Sequence, residues 1–176
     1  MIVVDASVFL DLIFDYRRDR TAIADGLFNL IEENGLPIFE PDAFKIEMIG
    51  QLVRRLKKEE ATALAEEIFS GMNFIDASEL FDMAYSVAVL TGSRAIDSFY
   101  VAAAKLEEAF LVSNDKHQVD SARKSGVEVY YILDEFEEVR ERTICTLASS
   151  HPLPFISGLE VPSPGPVETV NISFKT

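Results

Sequence analysis

Short apolar segments alternate with longer segments of helical periodicity along most of this chain. The apolar segments are residues 2–4, 36–39, 72–75, 110–113 and 127–132. The first has no polar residue, which is typical of a strand buried on both faces. The segments between them carry apolar residues three or four apart, the spacing of one helix face. Because strands that alternate with helices are joined by crossovers, the sequence predicts an α/β fold with helices on both faces of a mainly parallel sheet of about five strands.

The composition changes after His151, which divides the chain into two parts. Five prolines, at positions 152, 154, 162, 164 and 166, exclude a helix there. We therefore expect one domain over residues 1–150 and a proline-rich C-terminal extension over residues 151–176. Residues 167–174 alternate apolar and polar side chains, which makes them a candidate edge strand.

The bulk composition excludes several classes of protein. With 48% hydrophobic and 26% charged residues, the chain of 176 residues is an ordinary globular protein. A net charge of −14 argues against broad attraction to nucleic acid but leaves room for a local basic groove. The single Cys145 excludes an internal disulfide and a cysteine-rich zinc site. No signal peptide precedes the first strand and no apolar run reaches about 20 residues, so we expect a soluble, cytoplasmic protein.

Four acidic residues occupy positions that this fold would bring together. Asp5 and Asp115 each follow an apolar segment, Asp97 begins an alanine-rich helix, and Glu47 lies in the helix after the second apolar segment. Ligands of open parallel sheets bind beyond the carboxyl ends of the strands. Carboxylates that meet there repel one another, and a hard cation such as Mg²⁺ or Mn²⁺ relieves that repulsion. The pattern therefore predicts a divalent metal site.

Each acid also has an ordinary structural interpretation. Asp5 and Asp115 stand where N-cap residues stand, Asp97 suits the first turn of a helix, and Glu47 suits a solvated helix face. Asp120 is either an additional acid of the site or a surface position on a helix, and its spacing favours the surface.

Four motifs around these acids resemble the motifs of the PIN domain family, in the order of that family, over residues 1–133. They are Val3-Val4-Asp5-Ala6-Ser7-Val8, Ile46-Glu47-Met48, the segment that begins Asp97-Ser98-Phe99-Tyr100, and Ser113-Asn114-Asp115-Lys116. The resemblance implies a three-layer α/β/α domain and a metal-dependent ribonuclease, similar to the VapC-type toxins, which are neutralised by an antitoxin and are usually dimeric.

The same resemblance implies roles for individual residues. Asp5, Glu47, Asp97 and Asp115 would hold Mg²⁺ or Mn²⁺ and form the catalytic site, with Ser7 and Ser113 in support. Water would be the nucleophile in the hydrolysis of RNA.

Basic residues supply candidate RNA contacts. They are Arg54, Arg55, Lys57 and Lys58 in one cluster, Arg17, Arg18 and Arg20 in a second, and Arg94 ahead of Asp97. A positive groove beside the acids would follow a phosphate backbone. The first cluster is explained equally well as a solvated helix end.

Three alternatives to the toxin remain open. The first is a non-catalytic PIN-like module that binds RNA or protein, and the second is a housekeeping RNA-processing nuclease. The third is a phosphoryl-transfer domain with an aspartate after its first strand. A phosphatase of that kind carries a second aspartate two positions on, where this chain has Ser7.

Overall fold

The predicted alternation of strands and helices is present. The computed structural model describes residues 1–146, and the proline-rich extension, with its candidate strand at 167–174, lies outside the described residues. Within residues 1–146 the elements, in chain order, are β1 (Ile2–Val4), α1 (Ala6–Ile13), α2 (Arg18–Glu33), β2 (Phe39–Pro41), α3 (Ala43–Leu52), α4 (Lys58–Ser70), β3 (Asn73–Ile75), α5 (Ala77–Thr91), α6 (Ala95–Leu106), β4 (Phe110–Ser113), α7 (Lys116–Lys124), β5 (Val129–Tyr131) and α8 (Phe136–Thr146).

All strand pairs of the described chain are parallel. β1 pairs with β4 and β4 with β5, while β2 pairs with β3. A parallel bridge between Ile2 and Ile38 joins the two groups, so the strand order is β3-β2-β1-β4-β5. The chain leaves β1 toward one edge of the sheet and later returns to β4 on the other side of β1. The order of strands therefore reverses between β1 and β4, where open α/β sheets bind their ligands.

Helix α6 shows how the sequence builds the layers of this fold. Ala102, Ala103 and Ala104 are all buried, and α6 contacts β1, β2 and β4. Small side chains allow the helix to approach the sheet closely. This packing holds the first turn of α6, and with it Asp97, beside the ends of the strands. The helices thus form the outer layers of a three-layer α/β/α domain, as predicted.

Two boundaries differ from the sequence prediction. Strand β2 was expected over residues 36–39 but covers Phe39–Pro41, because Pro37 has no N–H to donate and Ile38 makes only a single bridge. The spacing of apolar residues predicts a helix from Pro41 to about residue 58 and a further helix over about residues 59–69; the first, α3, begins at Ala43 and already ends at Leu52, while the second is α4. The side chain of Arg55 donates to the carbonyl oxygen of Gln51 at 2.7 Å and satisfies one carbonyl at that end.

The core is apolar and continuous around the sheet. The side chains of Phe44, Met48 and Leu52 lie on one face of α3 and are fully buried, as are those of Phe110 and Leu111 in β4. Within residues 1–146, no helix combines the length and the apolar character that crossing a bilayer requires.

Candidate active site

The sheet switch point opens into a cavity of about 340 Å³ that is mainly polar. The structure brings all four predicted acids to this cavity. Its lining residues are Asp5, Ser7, Glu47, Arg94, Ile96, Asp97, Asn114, Asp115 and Lys116. Asp5 lies directly after β1, Asp115 two residues after β4, Asp97 in the first turn of α6, and Glu47 in the middle of α3. Elements that are far apart in the sequence therefore supply one acidic site.

Asp5 is the most constrained of the four acids. It is 6% exposed, and its Oδ2 accepts hydrogen bonds from Ser7 Oγ at 2.5 Å and from Ser113 Oγ at 2.7 Å. Burial raises the pKa of the Asp5 carboxyl, and the hydrogen bonds from the two serines oppose that rise. The same Ser113 hydroxyl accepts the backbone N–H of Asp115 at 2.9 Å. One side chain thus ties the carboxyl ends of β1 and β4 together.

Arg94 stands between two of the acids. Its Nε donates to Asp97 Oδ2 at 2.8 Å, and its terminal nitrogen donates to Asp115 Oδ2 at 2.6 Å. Partial burial raises the pKa of Asp115, but hydrogen bonds from the His117 N–H and from Arg94 outweigh it, and the net pKa is lowered. The hydrogen bonds to Asp97 and Asp115 raise the pKa of the Arg94 guanidinium further above its ordinary value. Asp97 and Asp115 therefore share the positive charge of one guanidinium.

Glu47 is held by a residue that the sequence analysis did not select. Tyr100 is fully buried in α6, and its hydroxyl donates to Glu47 Oε2 at 2.7 Å. Burial raises the pKa of Glu47, and repulsion from Asp5 and Asp97 raises it further. Tyr100 follows Asp97 by three residues, and residues three apart share a helix face. This three-residue spacing from Asp97 was the feature of the sequence that could have identified Tyr100 as a residue beside the acids.

Asp5 and Asp115 both act as N-caps, and the same two residues line the cavity. Oδ1 of Asp5 accepts the Ser7 N–H at 3.5 Å, and Oδ1 of Asp115 accepts the His117 N–H at 2.8 Å. In each residue one carboxylate oxygen caps a helix and the other belongs to the site. Asp120 is exposed on α7 and does not line the cavity, in agreement with the surface assignment.

Asn114 fixes the loop that carries Asp115. Its amide nitrogen donates to the carboxylate of Asp11 and to the backbone oxygen of Ser7 at 3.3 Å. The turn after β4 is therefore fastened to the first two turns of α1, and the positions of Asp5 and Asp115 are coupled.

A fifth acid, Glu40, lies beneath the site and was missed entirely. It is 0% exposed, and its Oε1 accepts the Val4 N–H at 2.7 Å. Within residues 1–146 its Oε2 has no hydrogen-bond partner. Burial, together with repulsion from Asp5 and Glu47, raises the pKa of Glu40 well above its ordinary value. Glu40 follows an apolar run and precedes a proline, and no periodic pattern marks it as buried.

The predicted RNA contacts separate into two places. Arg94 lines the cavity, whereas Arg54, Arg55, Lys57 and Lys58 lie outside it, in the turn between α3 and α4 and at the first residue of α4. Of the predicted RNA contacts, Arg94 is therefore the one that lines the cavity with the acids.

The four carboxylates suit a hard divalent cation by their chemistry, because oxygen ligands are what Mg²⁺ and Mn²⁺ prefer. They are not preassembled as ligands: among the described side chains, no three acids or histidines are grouped closely enough to hold a metal ion. Oxygens of Asp97 and Asp115 are turned onto Arg94 instead. A metal would therefore take these oxygens from the guanidinium.

Comparison with solved structures shows the same fold. The structure of FitAB bound to the IR36 DNA fragment matches with a TM-score of 0.58 at 17% identity, over 76% of this chain and 96% of that chain. VapBC2 from Rickettsia felis, bound to a DNA fragment from its promoter, matches with a TM-score of 0.56 at 16% identity, over 74% and 98%. FitAcB from Neisseria gonorrhoeae matches with a TM-score of 0.54 at 18% identity, over 75% and 98%.

Comparison at the level of sequence gives the family. No curated protein sequence matches the chain. The PIN domain family matches residues 2–124, which include all four acids of the cavity and more than half of the chain. The chain therefore belongs to the PIN domain family.

Proposed function

We propose that this protein is a Mg²⁺- or Mn²⁺-dependent endoribonuclease that hydrolyses RNA phosphodiester bonds, and that it is the toxin of a toxin–antitoxin pair. The observation that carries the proposal is the meeting of Asp5, Glu47, Asp97 and Asp115 in one open cavity at the sheet switch point of a PIN-family chain. The alternative of a phosphoryl-transfer domain finds no support in the family match.

In this proposal Asp5, Glu47, Asp97 and Asp115 hold the metal. A bound Mg²⁺ or Mn²⁺ supplies an activated water at neutral pH and stabilises the negative charge that develops on the phosphate. The protein contributes rigidity around these ligands. Ser7 and Ser113 fix the Asp5 carboxylate and Tyr100 fixes that of Glu47, so that neither must be ordered when substrate binds.

Arg94 has a separate role in the proposed reaction. If Asp97 and Asp115 held a metal, the Arg94 guanidinium that they now bind would be available to a phosphate oxygen in the same cavity. Arginine matches phosphate geometry with paired N–H donors. Arg94 would thereby orient the scissile phosphate and stabilise its charge.

The proposed antitoxin partner is supported by the nature of the structural neighbours, since FitAB and VapBC2 are each described in complex with DNA. A short reading frame immediately upstream that encodes a DNA-binding protein, and whose product co-purifies with this chain, would support the pairing. Growth arrest on expression, relieved by that product, would separate a toxin from a housekeeping nuclease.

A cytoplasmic location remains a prediction that cell fractionation tests.

Metal binding is the first test of the proposed function. We expect millimolar Mn²⁺ to raise the melting temperature of the EDTA-treated protein, because a ligand at 100 times its Kd stabilises the folded state by about 2.7 kcal/mol. We also expect cleavage of a labelled RNA to require Mn²⁺ or Mg²⁺ and to stop with EDTA. If titration calorimetry with Mn²⁺ detects no heat of binding and the melting temperature is unchanged, the result would instead favour a non-catalytic PIN-like binding module.

Within the described residues, helix α5 presents an exposed apolar surface on which the proposed homodimer can form. Phe81, Tyr85 and Val89 follow one another at four-residue intervals along α5 and are 59%, 65% and 71% exposed. A stripe of this kind can pack on its own copy across a two-fold axis.

We expect Tyr85→Glu to convert the dimer to a monomer, because the change buries a charge at the centre of the contact. Sedimentation equilibrium measures the mass. Glu66→Gln, on the exposed side of α4, is the control and should leave the mass unchanged. A wild-type chain that sediments as a monomer at micromolar concentration would contradict the proposed dimer.

A further inference from the structure

Two basic segments that are far apart in the sequence meet at one place on the surface. The Nε of Arg55, just after α3, donates to the hydroxyl of Tyr16 at 2.8 Å. The same guanidinium lies 5.4 Å from the ring centre of Phe14 and 5.8 Å from that of Tyr16. Cation–π contacts of this type hold the two segments together. The turn after α1 and the turn after α3 therefore form a single surface.

This surface concentrates the positive charge of an acidic protein. The residues 14–20 and 54–58 contain seven of the 16 lysines and arginines of the chain, namely Arg17, Arg18, Arg20, Arg54, Arg55, Lys57 and Lys58. The same stretches contain two acids, Asp15 and Asp19, and two more, Glu59 and Glu60, follow directly; the seven cations still exceed these four acids, whereas the whole chain carries a net charge of −14. The local sign of the surface is therefore opposite to the sign of the molecule, and it attracts an anion that the rest of the protein repels.

Arg20 pairs with the mostly buried Asp11 at 3.9 Å, but two other ion pairs on this surface are highly exposed. Arg17 bonds Asp19 at 2.9 Å with side chains 61% and 63% exposed, and Lys57 reaches Glu60 at 4.0 Å with side chains 82% and 59% exposed. Pairs this exposed are held weakly, so that phosphate groups can compete for the cations.

Aromatic rings accompany the charge. The rings of Phe14 and Tyr16 are stacked, with centres 5.6 Å apart and planes inclined by 23°. Phe14 is half-buried, and Tyr16 is 64% exposed. An exposed ring that is fixed by a stacked neighbour and a guanidinium offers a rigid surface on which a nucleobase can stack.

Two helices, α1 and α3, set the position of this basic surface relative to the acids. α1 begins directly after Asp5 and ends near Phe14, while Glu47 lies eight residues before Arg55 on the α3 side. At a rise of about 1.5 Å per residue, both routes place the surface about 12–14 Å from the acids. About four stacked nucleotides, at about 3.4 Å each, cover that distance. A strand bound on this surface would therefore enter the cavity a few nucleotides further along.

We propose that Phe14, Tyr16, Arg17, Arg54, Arg55 and Lys57 form a basic–aromatic platform that binds single-stranded RNA and leads it into the acidic cavity. The proposal rests on the proposed function, and it assigns the binding of that RNA substrate to a surface outside the acidic cavity. Cations at both edges of the platform contact phosphates, and Tyr16 stacks on a base. A duplex offers phosphates but keeps its base faces covered, so it can use only half of the platform.

The test is the binding of a fluorescein-labelled single-stranded RNA of 12 nucleotides to the full-length protein in EDTA, where no cleavage occurs. Fluorescence anisotropy gives the Kd over a range of salt concentrations. The variants are Arg54→Gln with Lys57→Gln, and Tyr16→Ala. The matched control is Lys124→Gln with Arg140→Gln, which removes two exposed charges from α7 and α8. Circular dichroism establishes that each variant is folded.

We expect the Arg54/Lys57 variant to bind at least about tenfold more weakly, and its slope of log K against log salt to fall by about 1.4, since each contact to a single strand contributes about 0.7. Tyr16→Ala should weaken binding at least about fivefold without changing that slope, and Tyr16→Phe should restore most of the affinity. The control should bind like the wild type. In cleavage assays the platform variants should raise KM and leave kcat unchanged.

Three outcomes would overturn the platform: platform and control variants that bind alike, a blunt duplex that binds as tightly as the single strand, or a poly-glutamate peptide that binds here while RNA does not. The last outcome would indicate that the surface binds a protein partner.

The proposed nuclease and the proposed platform fail separately. If the wild type cuts RNA but the platform variants bind normally, the platform is wrong. If the wild type does not cut but the platform variants lose binding, the nuclease is wrong.

Discussion

The Asp97→Asn variant is expected to lose Mn²⁺-dependent RNA cleavage by about 100-fold or more while keeping the fold. Asn has the shape of Asp but no charge, so one anionic ligand disappears from a site that holds its metal by carboxylates. Asp97 is 7% exposed, and its ion pair partner Arg94 is 67% exposed. Loss of so exposed a pair has little effect on the free energy of unfolding.

Asp5→Asn should remove activity to the same extent with a different effect on stability. Burial raises the pKa of Asp5, which means that the folded state holds its charged form at a cost. The neutral amide removes that cost, and its oxygen still accepts from Ser7 or Ser113. We therefore expect the free energy of unfolding to be unchanged or higher in EDTA. Initial rates on a labelled RNA and urea unfolding, measured on the same preparations, separate the two effects.

The matched control for both variants is Asp120→Asn. It makes the same chemical change on the exposed face of α7, outside the cavity. It should cut RNA at the rate of the wild type. If Asp97→Asn and Asp5→Asn retained that rate as well, the assignment of the catalytic site would be wrong.

The sequence contained enough information to locate the acids of the site but not their contacts. Asp5 and Asp115 follow apolar runs, and strand ends on a parallel sheet share one edge, so their approach was predictable. The hydrogen bond between Arg94 and Asp115 Oδ2 was not predictable. It depends on side-chain rotamers in a space that four elements enclose. Glu40 was beyond prediction for a stronger reason. Its burial depends on how β2 lies against β1 after the Ile2–Ile38 bridge. No residue near position 40 in the sequence indicates that arrangement.

The fold shows the same division between local and global information. Apolar runs and helical spacing identified every strand within residues 1–146, while the boundaries of β2 and α3 were wrong by two to six residues. Pro41 fits the first turn of a helix by its dihedral angle and equally fits the last residue of a strand that needs no donor there. The pairing of β2 with β3 places Pro41 in the strand and not in the helix. Local sequence does not show this pairing, because the two strands lie far apart in the sequence.

The Glu40→Gln variant is expected to be more stable than the wild type at pH 8, by about 1–3 kcal/mol, with the difference shrinking toward pH 5. Glu40 is buried beside Asp5 and Glu47, so its charged form is disfavoured in the folded state and its pKa there lies well above the unfolded value of 4.5. Above pH 4.5 the unfolded chain loses the proton that the folded chain keeps. The stability contributed by Glu40 is therefore complete below that pH and is lost as the pH rises through the folded pKa.

Gln copies the protonated carboxyl and removes this dependence. Its oxygen accepts the Val4 N–H, as Oε1 of Glu40 does at 2.7 Å, and its neutral amide takes the place of the unpartnered Oε2. Urea unfolding in EDTA at pH 5 and pH 8 measures the difference, with Glu66→Gln on the exposed face of α4 as the control for loss of one negative charge. A Glu40→Gln variant that is destabilised equally at both pH values would show that Glu40 is held by a structural bond and not strained by its charge. A gain at pH 8 that vanishes at pH 5 would show instead that this PIN domain keeps, beneath its acidic cavity, a carboxyl whose charge the folded state resists.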